Sequence, residues 1–353
     1  MKYFGYLSFG HHAIGHQSGP DAGESLTQAV ELARRADAIG VNGAYFRVHH
    51  FAPQHSSPMS LLGAVAGATE NLEVGTGVID IRYENPLHLA EEAATLDLVS
   101  RGRVALGVSR GSPEPARRGW EAFGYTAEAP DGRDMARQKF LRLLAAADGE
   151  AMAVSDTLEN QYPQMYHPGV GLPVFPQSPT LRRRIWWGAG SHATAEQAAH
   201  DGVNLMSSTL VSEADGSSLG DLQAKQIERY RTAWKAAGHP WTPRVSVSRS
   251  VFPIVTERDR ELFGTLASGD QVGSLGEGVP VTFGGTYAAG PDKLIEQLRA
   301  DAAVMSADTL MLTIPNPMGV EVNAAILENF ARHVAGELGW RPGTPATDMT
   351  GLE

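Results

Sequence analysis

The sequence predicts a closed (β/α)8 TIM barrel, because strand-like and helix-like runs alternate along the chain from end to end. The 353 residues are within the length that α/β barrels reach as one domain. Eight strand-like runs, each followed by a run with one apolar helical face, favour a closed barrel over an open doubly wound sheet. We therefore predict one barrel domain over residues 1–340 and a flexible C-terminal tail over residues 341–353.

The predicted strands are short apolar runs bounded by turn residues. The fourth run is apolar without interruption, which suits a parallel strand covered on both faces. A helix follows each strand, and one of these helices begins at Pro58, a residue type that favours the first helical position. The predicted strands cover residues 3–9, 43–47, 72–78, 103–108, 185–187, 204–207, 245–255 and 309–314.

Two stretches depart from this alternation. A long, proline-containing excursion follows the fourth strand, and its only helical pattern lies near Arg133–Ala147. It predicts an insertion at this point of the barrel. A glycine-rich stretch from Ser268 to Gly290 follows the seventh strand. Its glycine content suits a mobile loop that closes over an active site, and it suits a merely flexible insertion as well.

Composition excludes several classes of protein. The formal net charge of −11 argues against a general nucleic-acid binder, because such binding depends on neutralising phosphates with Lys and Arg. The absence of cysteine excludes disulfides, thiolate zinc sites and thiol nucleophiles. The N-terminus lacks a signal-peptide pattern and no apolar run approaches membrane-spanning length, so we predict a cytoplasmic protein.

Polar residues follow the fourth and fifth predicted strands, at positions where a buried barrel does not need them. Ser109-Arg110-Gly111 follows the fourth strand, and residues 188–194 follow the fifth. Ser191 or Thr194 would begin the next helix, whose exposed amides and dipole bind anions, although an ordinary serine N-cap explains the pattern equally well. Arg110 adds a guanidinium that fits phosphate oxygens. Since barrel strands end at one mouth, the two segments together predict a phosphorylated cofactor.

The segment after the fifth strand also matches a dinucleotide-binding fingerprint. Gly188, Gly190 and Ala193 have the required spacing, between a strand and a helix. That interpretation needs an acidic residue about twenty positions further on, at the end of the next strand. The strand end at residues 206–209 offers none. A phosphate at a helix N-terminus is therefore favoured over a nicotinamide site.

His49 and His50 follow the second strand, and imidazole is the side chain best suited to acid or base catalysis near neutral pH. Alternatively, one histidine packs in the fold and the other is solvated. A metal cluster is a third possibility, but the later strand ends offer arginine, serine and threonine in place of further ligands. The other histidines near early strand ends are His11, His12, His16, His55 and His88.

Taken together, these segments resemble the bacterial luciferase-like, flavin-dependent monooxygenase family. The resemblance runs from the first strand to the last helix, and its motifs occur in the family's order. The matching segments are His49-His50-Phe51, residues 72–79, Asn85-Pro86-Leu87, residues 96–103, residues 107–111 and the loop at Ser191.

The resemblance implies an FMN site. Arg110, Ser191 and Thr194 correspond to phosphate ligands, and Arg133 resembles an arginine near the same phosphate. The Gly77–Val78 peptide, which is cis in some members, would lie against the isoalloxazine ring. The expected cofactor-binding residues are Gly77, Val78, Ser109, Arg110, Arg133, Gly188, Ala189, Gly190, Ser191 and Thr194.

The implied reaction is the oxygenation of a small organic substrate by O₂ and reduced FMN, which a separate flavin reductase would supply. His49 corresponds to the luciferase histidine that acts as an acid or base beside the flavin. Luciferases have an acidic residue immediately before it, whereas this chain has Val48, so light-emitting aldehyde chemistry is not expected.

Members of the family commonly form homodimers through helices near the second and third strands. Here the small residues Gly63, Ala64, Ala66, Gly67 and Ala68 would allow close approach of two such helices, although small residues also suit packing against the chain's own barrel. Two alternatives to an FMN monooxygenase remain: a deazaflavin-dependent oxidoreductase of the same fold, and a flavin-binding protein without catalytic activity.

Overall fold

Eight parallel strands form one closed barrel in the computed structural model, which describes residues 1–111, 115–213, 215–275 and 279–343. Each strand pairs with the next along the chain and the last pairs with the first. The predicted closed barrel is therefore confirmed. The strands are β1 (Tyr3–Ser8), β2 (Gly43–Arg47), β3 (Glu73–Asp80), β4 (Val104–Ser109), β5 (Ile185–Ala189), β6 (Asn204–Ser207), β7 (Val245–Pro253) and β8 (Thr309–Thr313).

Helices cover the outside of the barrel, and several begin at the caps that the sequence provides. Asp21 and Glu24 form a capping box at the start of the first helix, and Pro58 occupies the first turn of the second. Two short helices, α7 and α9, were not predicted. The helices of the described residues are α1 (Ala22–Ile39), α2 (Pro58–Ala68), α3 (Pro86–Val99), α4 (Arg133–Ala147), α5 (His192–His200), α6 (Leu219–Ala237), α7 (Glu257–Phe263), α8 (Pro291–Ala300), α9 (Ala302–Ser306) and α10 (Gly319–His333).

Side chains fill the barrel interior, so the barrel is not a channel. Six buried apolar residues from six strands form one cluster there: Leu7, Tyr45, Ala105, Trp186, Met206 and Met311. Beneath them, at the N-terminal ends of the strands, Arg244 Nη1 lies 2.6 Å from Glu73 Oε2 in a buried ion pair. The Tyr45 hydroxyl donates to Glu73 Oε1. This closed end leaves the C-terminal mouth as the place for a ligand.

Residues 110–184 separate β4 from β5. They contain α4 and a small antiparallel pair of strands, Ala153–Val154 and Gly171–Leu172. The end of this segment is tied to α3, because the hydroxyls of Ser178 and Thr180 both donate to Asp97 Oδ2 at 2.6 Å. A buried carboxylate thus fixes the point at which the chain re-enters the barrel.

The glycine-rich stretch after β7 is more regular than predicted. Gln271–Leu275 and Val279–Phe283 are antiparallel strands, and the second also pairs with the short strand Leu210–Val211 after β6. Thr286–Ala289 adds a parallel strand to the end of β7. The stretch forms strands because part of it packs, as the burial of Val281 shows. The predicted mobility stays a prediction, and residues 276–278 lie outside the described residues.

The first residues of the predicted tail are hydrogen-bonded to the barrel. The Arg341 N–H donates to the Lys2 carbonyl, and the Asn42 side-chain amide donates to the Arg341 carbonyl, each at 2.9 Å. Residues 344–353 lie outside the described residues. None of the helices within the described ranges is long and apolar enough to span a bilayer.

Candidate functional site

A bulge in β3 shapes the mouth of the barrel. Phe46 pairs with Thr76 but Arg47 pairs with Val78, so Gly77 is an extra residue in the strand. A side chain at position 77 would collide with the end of the Leu7 side chain, which would have to shift to admit it. The Gly77–Val78 peptide is not among the cis peptides of the described residues, which are Tyr162–Pro163 and Phe175–Pro176.

Val78, Ser109 and Gly188 meet at the mouth. The β4–β5 register aligns Val108 with Trp187, which places Ser109 beside Gly188. A Cβ built at Gly188 would lie 2.7 Å from Val78 Cγ1 and 3.3 Å from Ser109 Cβ. Three of the expected cofactor-binding residues are therefore neighbours, and the missing side chain at Gly188 lets Val78 and Ser109 pack closely against its backbone.

The start of α5 is capped by its own side chains. Ser191 Oγ accepts a hydrogen bond from the Thr194 N–H, and Thr194 Oγ1 accepts one from the Ser191 N–H, both at 3.3 Å. The buried Gln226 side chain donates to the Ser191 carbonyl at 3.0 Å and fixes the loop from below. The ordinary N-cap interpretation of Ser191 is thus confirmed. Both residues also lie at a helix N-terminus, where the dipole favours an anion.

Glu213 lies at this helix N-terminus, and the sequence analysis missed it. Its Oε1 accepts a hydrogen bond from the His192 backbone N–H at 2.9 Å. The dinucleotide fingerprint predicts its acidic residue at the end of β6, where residues 206–209 contain none. Glu213 follows the next short strand, Leu210–Val211, and no local pattern indicated that this strand folds back toward α5.

Asp131 lies between the two predicted phosphate-binding arginines. Arg110 Nη1 donates to Asp131 Oδ2 at 3.1 Å. The backbone N–H of Arg133 donates to Asp131 Oδ1 at 3.3 Å, and the Arg133 Nε is 4.0 Å from the same oxygen. The side chains of Arg110 and Arg133 are 52% and 71% exposed, so both can reach a ligand at the mouth.

A buried ion pair supports the loops that carry these arginines. Arg82 Nε donates to Asp80 Oδ1 at 2.9 Å, and the Arg82 guanidinium lies 4.4 Å from the centre of the Trp120 ring. Arg82 Nη1 also donates to the Asp131 carbonyl at 2.9 Å. Gly111 adopts a positive φ of 84° directly against the pair, where a side chain would collide with both partners. Asp80 and Arg82 are thus positioning residues that the sequence analysis missed.

His49 lies on the β2 side of the mouth and is 9% exposed. Its backbone N–H donates to the His55 carbonyl at 2.9 Å. Partial burial, followed by the positive charges of Arg47, His49 and His12, lowers the pKa of His11. The charge of His49 therefore acts on the imidazole of His11, which follows β1.

His50 is also buried, although one of the two histidines could have been solvated according to the sequence. It is as buried as His49, stacks on Tyr83 at 4.3 Å between ring centres, and meets the edge of Phe123 at 5.0 Å. The alternative in which one histidine packs and the other is solvated is wrong, since both are buried.

The loop after β1 is held by a buried polar network. Asn316 Oδ1 accepts from the N–H groups of Phe9 and Gly10, at 3.0 and 2.9 Å, and its amide donates to Ser8. His55 Nε2 lies 3.3 Å from Ser8 Oγ. Burial, with smaller effects from the charges of His12 and His11, lowers the pKa of His55 to about 4. His55 is therefore neutral near pH 7 and belongs to this buried network.

The described residues fit a phosphorylated cofactor better than a metal ion. Two exposed guanidinium groups and the hydroxyls at the start of α5 offer donors for a phosphate ester. The carboxylates of Asp131 and Glu213 accept hydrogen bonds beside these groups. No group of three or more His, Asp or Glu side chains is placed to hold a metal within the part of the chain that the structure describes.

The chain is similar to known proteins in sequence and in structure. The chain is 36% identical over 99 residues to a 4-hydroxyprotoasukamycin monooxygenase of Streptomyces nodosus subsp. asukaensis. That match covers 28% of this chain and 27% of the monooxygenase. It is 35% identical over 112 residues to an F420-dependent glucose-6-phosphate dehydrogenase of Amycolatopsis mediterranei. That match covers 30% of this chain and 32% of the dehydrogenase. These matches span less than a third of either relative.

A solved structure shares the whole fold. It is the oxygenating constituent of a 3,6-diketocamphane monooxygenase from Pseudomonas putida, a type II Baeyer-Villiger enzyme in complex with FMN. The TM-score is 0.69 at 16% identity, over 98% of this chain and 100% of the other. The family model for luciferase-like monooxygenases matches residues 1–265, which is most of the barrel. The chain therefore belongs to the luciferase-like monooxygenase family.

Proposed function

We propose that this protein is the oxygenase component of an FMN-dependent monooxygenase. It would receive reduced FMN from a separate flavin reductase in the cytoplasm and use O₂ to oxygenate a small organic substrate. One observation supports the proposal: His49, Arg110 and Ser191 follow the C-terminal ends of β2, β4 and β5 of one parallel barrel, and Arg133 is linked to Arg110 through Asp131. The FMN complex of the diketocamphane enzyme, itself an oxygenating constituent, supports both the cofactor and the separate reductase.

Each group at the mouth has a role in this proposal. Arg110 and Arg133 would bind the FMN phosphate together with the hydroxyls of Ser191 and Thr194. The backbone of residues 188–190 and the side chain of Ser109 would line the same site. The bulged Gly77–Val78 segment would support the flavin ring. Bound reduced FMN supplies the activation of O₂, which side chains alone do not provide.

His49 would act as the acid or base at the reacting centre, since imidazole can donate or accept a proton near neutral pH. Phe9 and His11 form a wall next to it, with their rings stacked at 5.7 Å, and the Arg47 guanidinium lies 5.0 Å from the Phe9 ring centre. This wall and the strands Gln271–Leu275 and Val279–Phe283 would restrict water at the reacting centre.

Deazaflavin chemistry is the nearest alternative, because a relative uses F420. The two cofactors can be distinguished by presenting the purified protein with reduced FMN and with reduced F420 in separate reactions. We expect tight binding of FMN, no efficient oxidation of NADH or NADPH by the protein alone, and incorporation of an oxygen atom from labelled O₂ into product. Candidate substrates would be screened by mass spectrometry.

Two results would contradict this proposal. F420-linked hydride transfer without oxygen incorporation would assign the protein to the deazaflavin enzymes of this fold. Flavin binding with no product from any reduced cofactor would favour a non-catalytic flavin-binding protein. Mass spectrometry of the small molecule released on denaturation provides an independent check of cofactor identity.

We also propose a homodimer formed through α2. Gly63, Ala64 and Gly67 are exposed on this uncharged helix, and Leu98 and Val99 at the end of α3 are exposed as well. A Cβ built at Gly63 or Gly67 meets no atom within 4 Å among the described residues. Gly67→Arg should therefore fold normally but sediment as a monomer, whereas the wild type sediments as a dimer at micromolar concentration. A wild-type monomer would contradict the proposal.

A further inference from the structure

We propose that Asp131 and Glu213 are internal competitors for the cofactor phosphate. Their carboxylates bind the same donors that the phosphate needs, so that cofactor binding is an exchange of anions. This inference rests on the proposed function, because it concerns the same phosphate site. It adds two residues that weaken cofactor binding and speed cofactor release.

Glu213 occupies the helix side of the site. Its Oε1 accepts from the His192 N–H in the first turn of α5, one of the backbone donors that a phosphate at this helix would use. Its Oε2 is buried and has no hydrogen-bond partner within the described residues. A buried carboxylate oxygen without a partner is unfavourable, so the carboxylate is held less firmly than a fully bonded anion would be.

The backbone next to Glu213 is fixed, and movement is therefore left to the side chain. Ser212 is bonded twice to the Gly190 carbonyl, through its N–H at 2.8 Å and its hydroxyl at 3.0 Å. The preceding strand, Leu210–Val211, is paired with Val279–Phe283. Rotation of the Glu213 side chain can thus clear the site without displacing the segment that carries it.

Asp131 occupies the arginine side in the same way. Its carboxylate accepts from Arg110 Nη1 at 3.1 Å and from the Arg133 backbone N–H at 3.3 Å. Its backbone carbonyl is bonded to Arg82, which is buried. The Asp131 side chain is 46% exposed, so it can rotate into solvent while its backbone stays in place.

The carboxylates and the cofactor phosphate cannot share these donors at the same time, because all of them are negatively charged. A phosphate monoester carries a charge of roughly −1.5 to −2 near neutral pH, and it would be repelled by two carboxylates left among its own donors. Each carboxylate must therefore release its donors before the phosphate can use them. An oxygenase of this kind takes up reduced FMN and returns oxidised FMN in every turnover. Weaker FMN binding is useful to it, because the weakening mainly raises the rate at which FMN dissociates.

Isosteric neutral variants test this proposal. Glu213→Gln and Asp131→Asn keep the shape of each side chain and remove its charge. We expect each to bind FMN on the order of 3- to 10-fold more tightly, with slower FMN dissociation in stopped-flow experiments. Riboflavin, which lacks the phosphate, should bind each variant as it binds the wild type. Glu228→Gln, on an exposed face of α6, is the control for the loss of one negative charge.

The outcomes separate this proposal from the assignment of the site. Unchanged or weaker FMN binding in both variants would overturn it, and weaker binding would show that the acids position the phosphate donors. Equal tightening of riboflavin would also overturn it, because the effect would not concern the phosphate. A wild type that binds FMN no better than riboflavin would instead refute the phosphate site itself. If Glu213→Gln fails to fold, Asp131→Asn on its exposed loop gives the decisive measurement.

Discussion

Replacing His49 with alanine should lower turnover by roughly 100- to 10,000-fold, the usual effect of losing a general acid or base, and should leave FMN affinity nearly unchanged. His49 follows β2, whereas the expected phosphate donors follow β4 and β5 or begin α4 and α5. The variant therefore removes a proton-transfer group without removing a contact to the phosphate. The measurements are the single-turnover rate with pre-reduced FMN and the dissociation constant for FMN.

Two further variants show whether the effect belongs to proton transfer. His49→Asn keeps a polar group of similar reach but cannot act as an acid or base near neutral pH, so it should be nearly as slow as the alanine variant. His16→Ala, on the exposed loop after β1, should keep full activity. A His49 variant that loses FMN at normal turnover, or an equal loss of rate in His16→Ala, would contradict the assigned role.

The barrel was predictable because its signals are local. α4 begins at Arg133 and α2 at Pro58, as the sequence indicated, since caps, proline and apolar spacing act within a few residues. The strand ends that carry Ser109 and Ser191 followed from the same alternation. Parallel strands of a closed barrel place their C-terminal ends at one mouth, so the convergence of these segments needed no long-range information.

The acidic partners of the site were not predictable in this way. Asp131 and Glu213 reach their donors from segments that are distant in sequence from Arg110 and His192, through turns that no motif describes. The bulge at Gly77 depends on the register of β3 with both neighbouring strands. A pattern along one chain does not specify such a register, because it arises from packing among several strands.

Replacing Arg110 with alanine should weaken FMN binding by about 10- to 150-fold, the value of a charge-assisted phosphate contact. Because Arg110 is half exposed, we expect the lower part of this range. Riboflavin binding should not change. Arg34→Ala, on the exposed face of α1 where Arg34 pairs with Glu31, should have no effect on either ligand.

Arg110→Ala should reduce FMN affinity for two reasons, and a double variant separates them. Removing the guanidinium deletes a phosphate contact, and it also leaves the Asp131 carboxylate without the partner that lies 3.1 Å away. The unpaired charge would repel an incoming phosphate, so Arg110→Ala combined with Asp131→Asn should bind FMN more tightly than Arg110→Ala alone. If the double variant is no better, Asp131 does not oppose the phosphate. If Arg110→Ala weakens riboflavin as much as FMN, Arg110 supports the fold of the mouth and does not bind the phosphate.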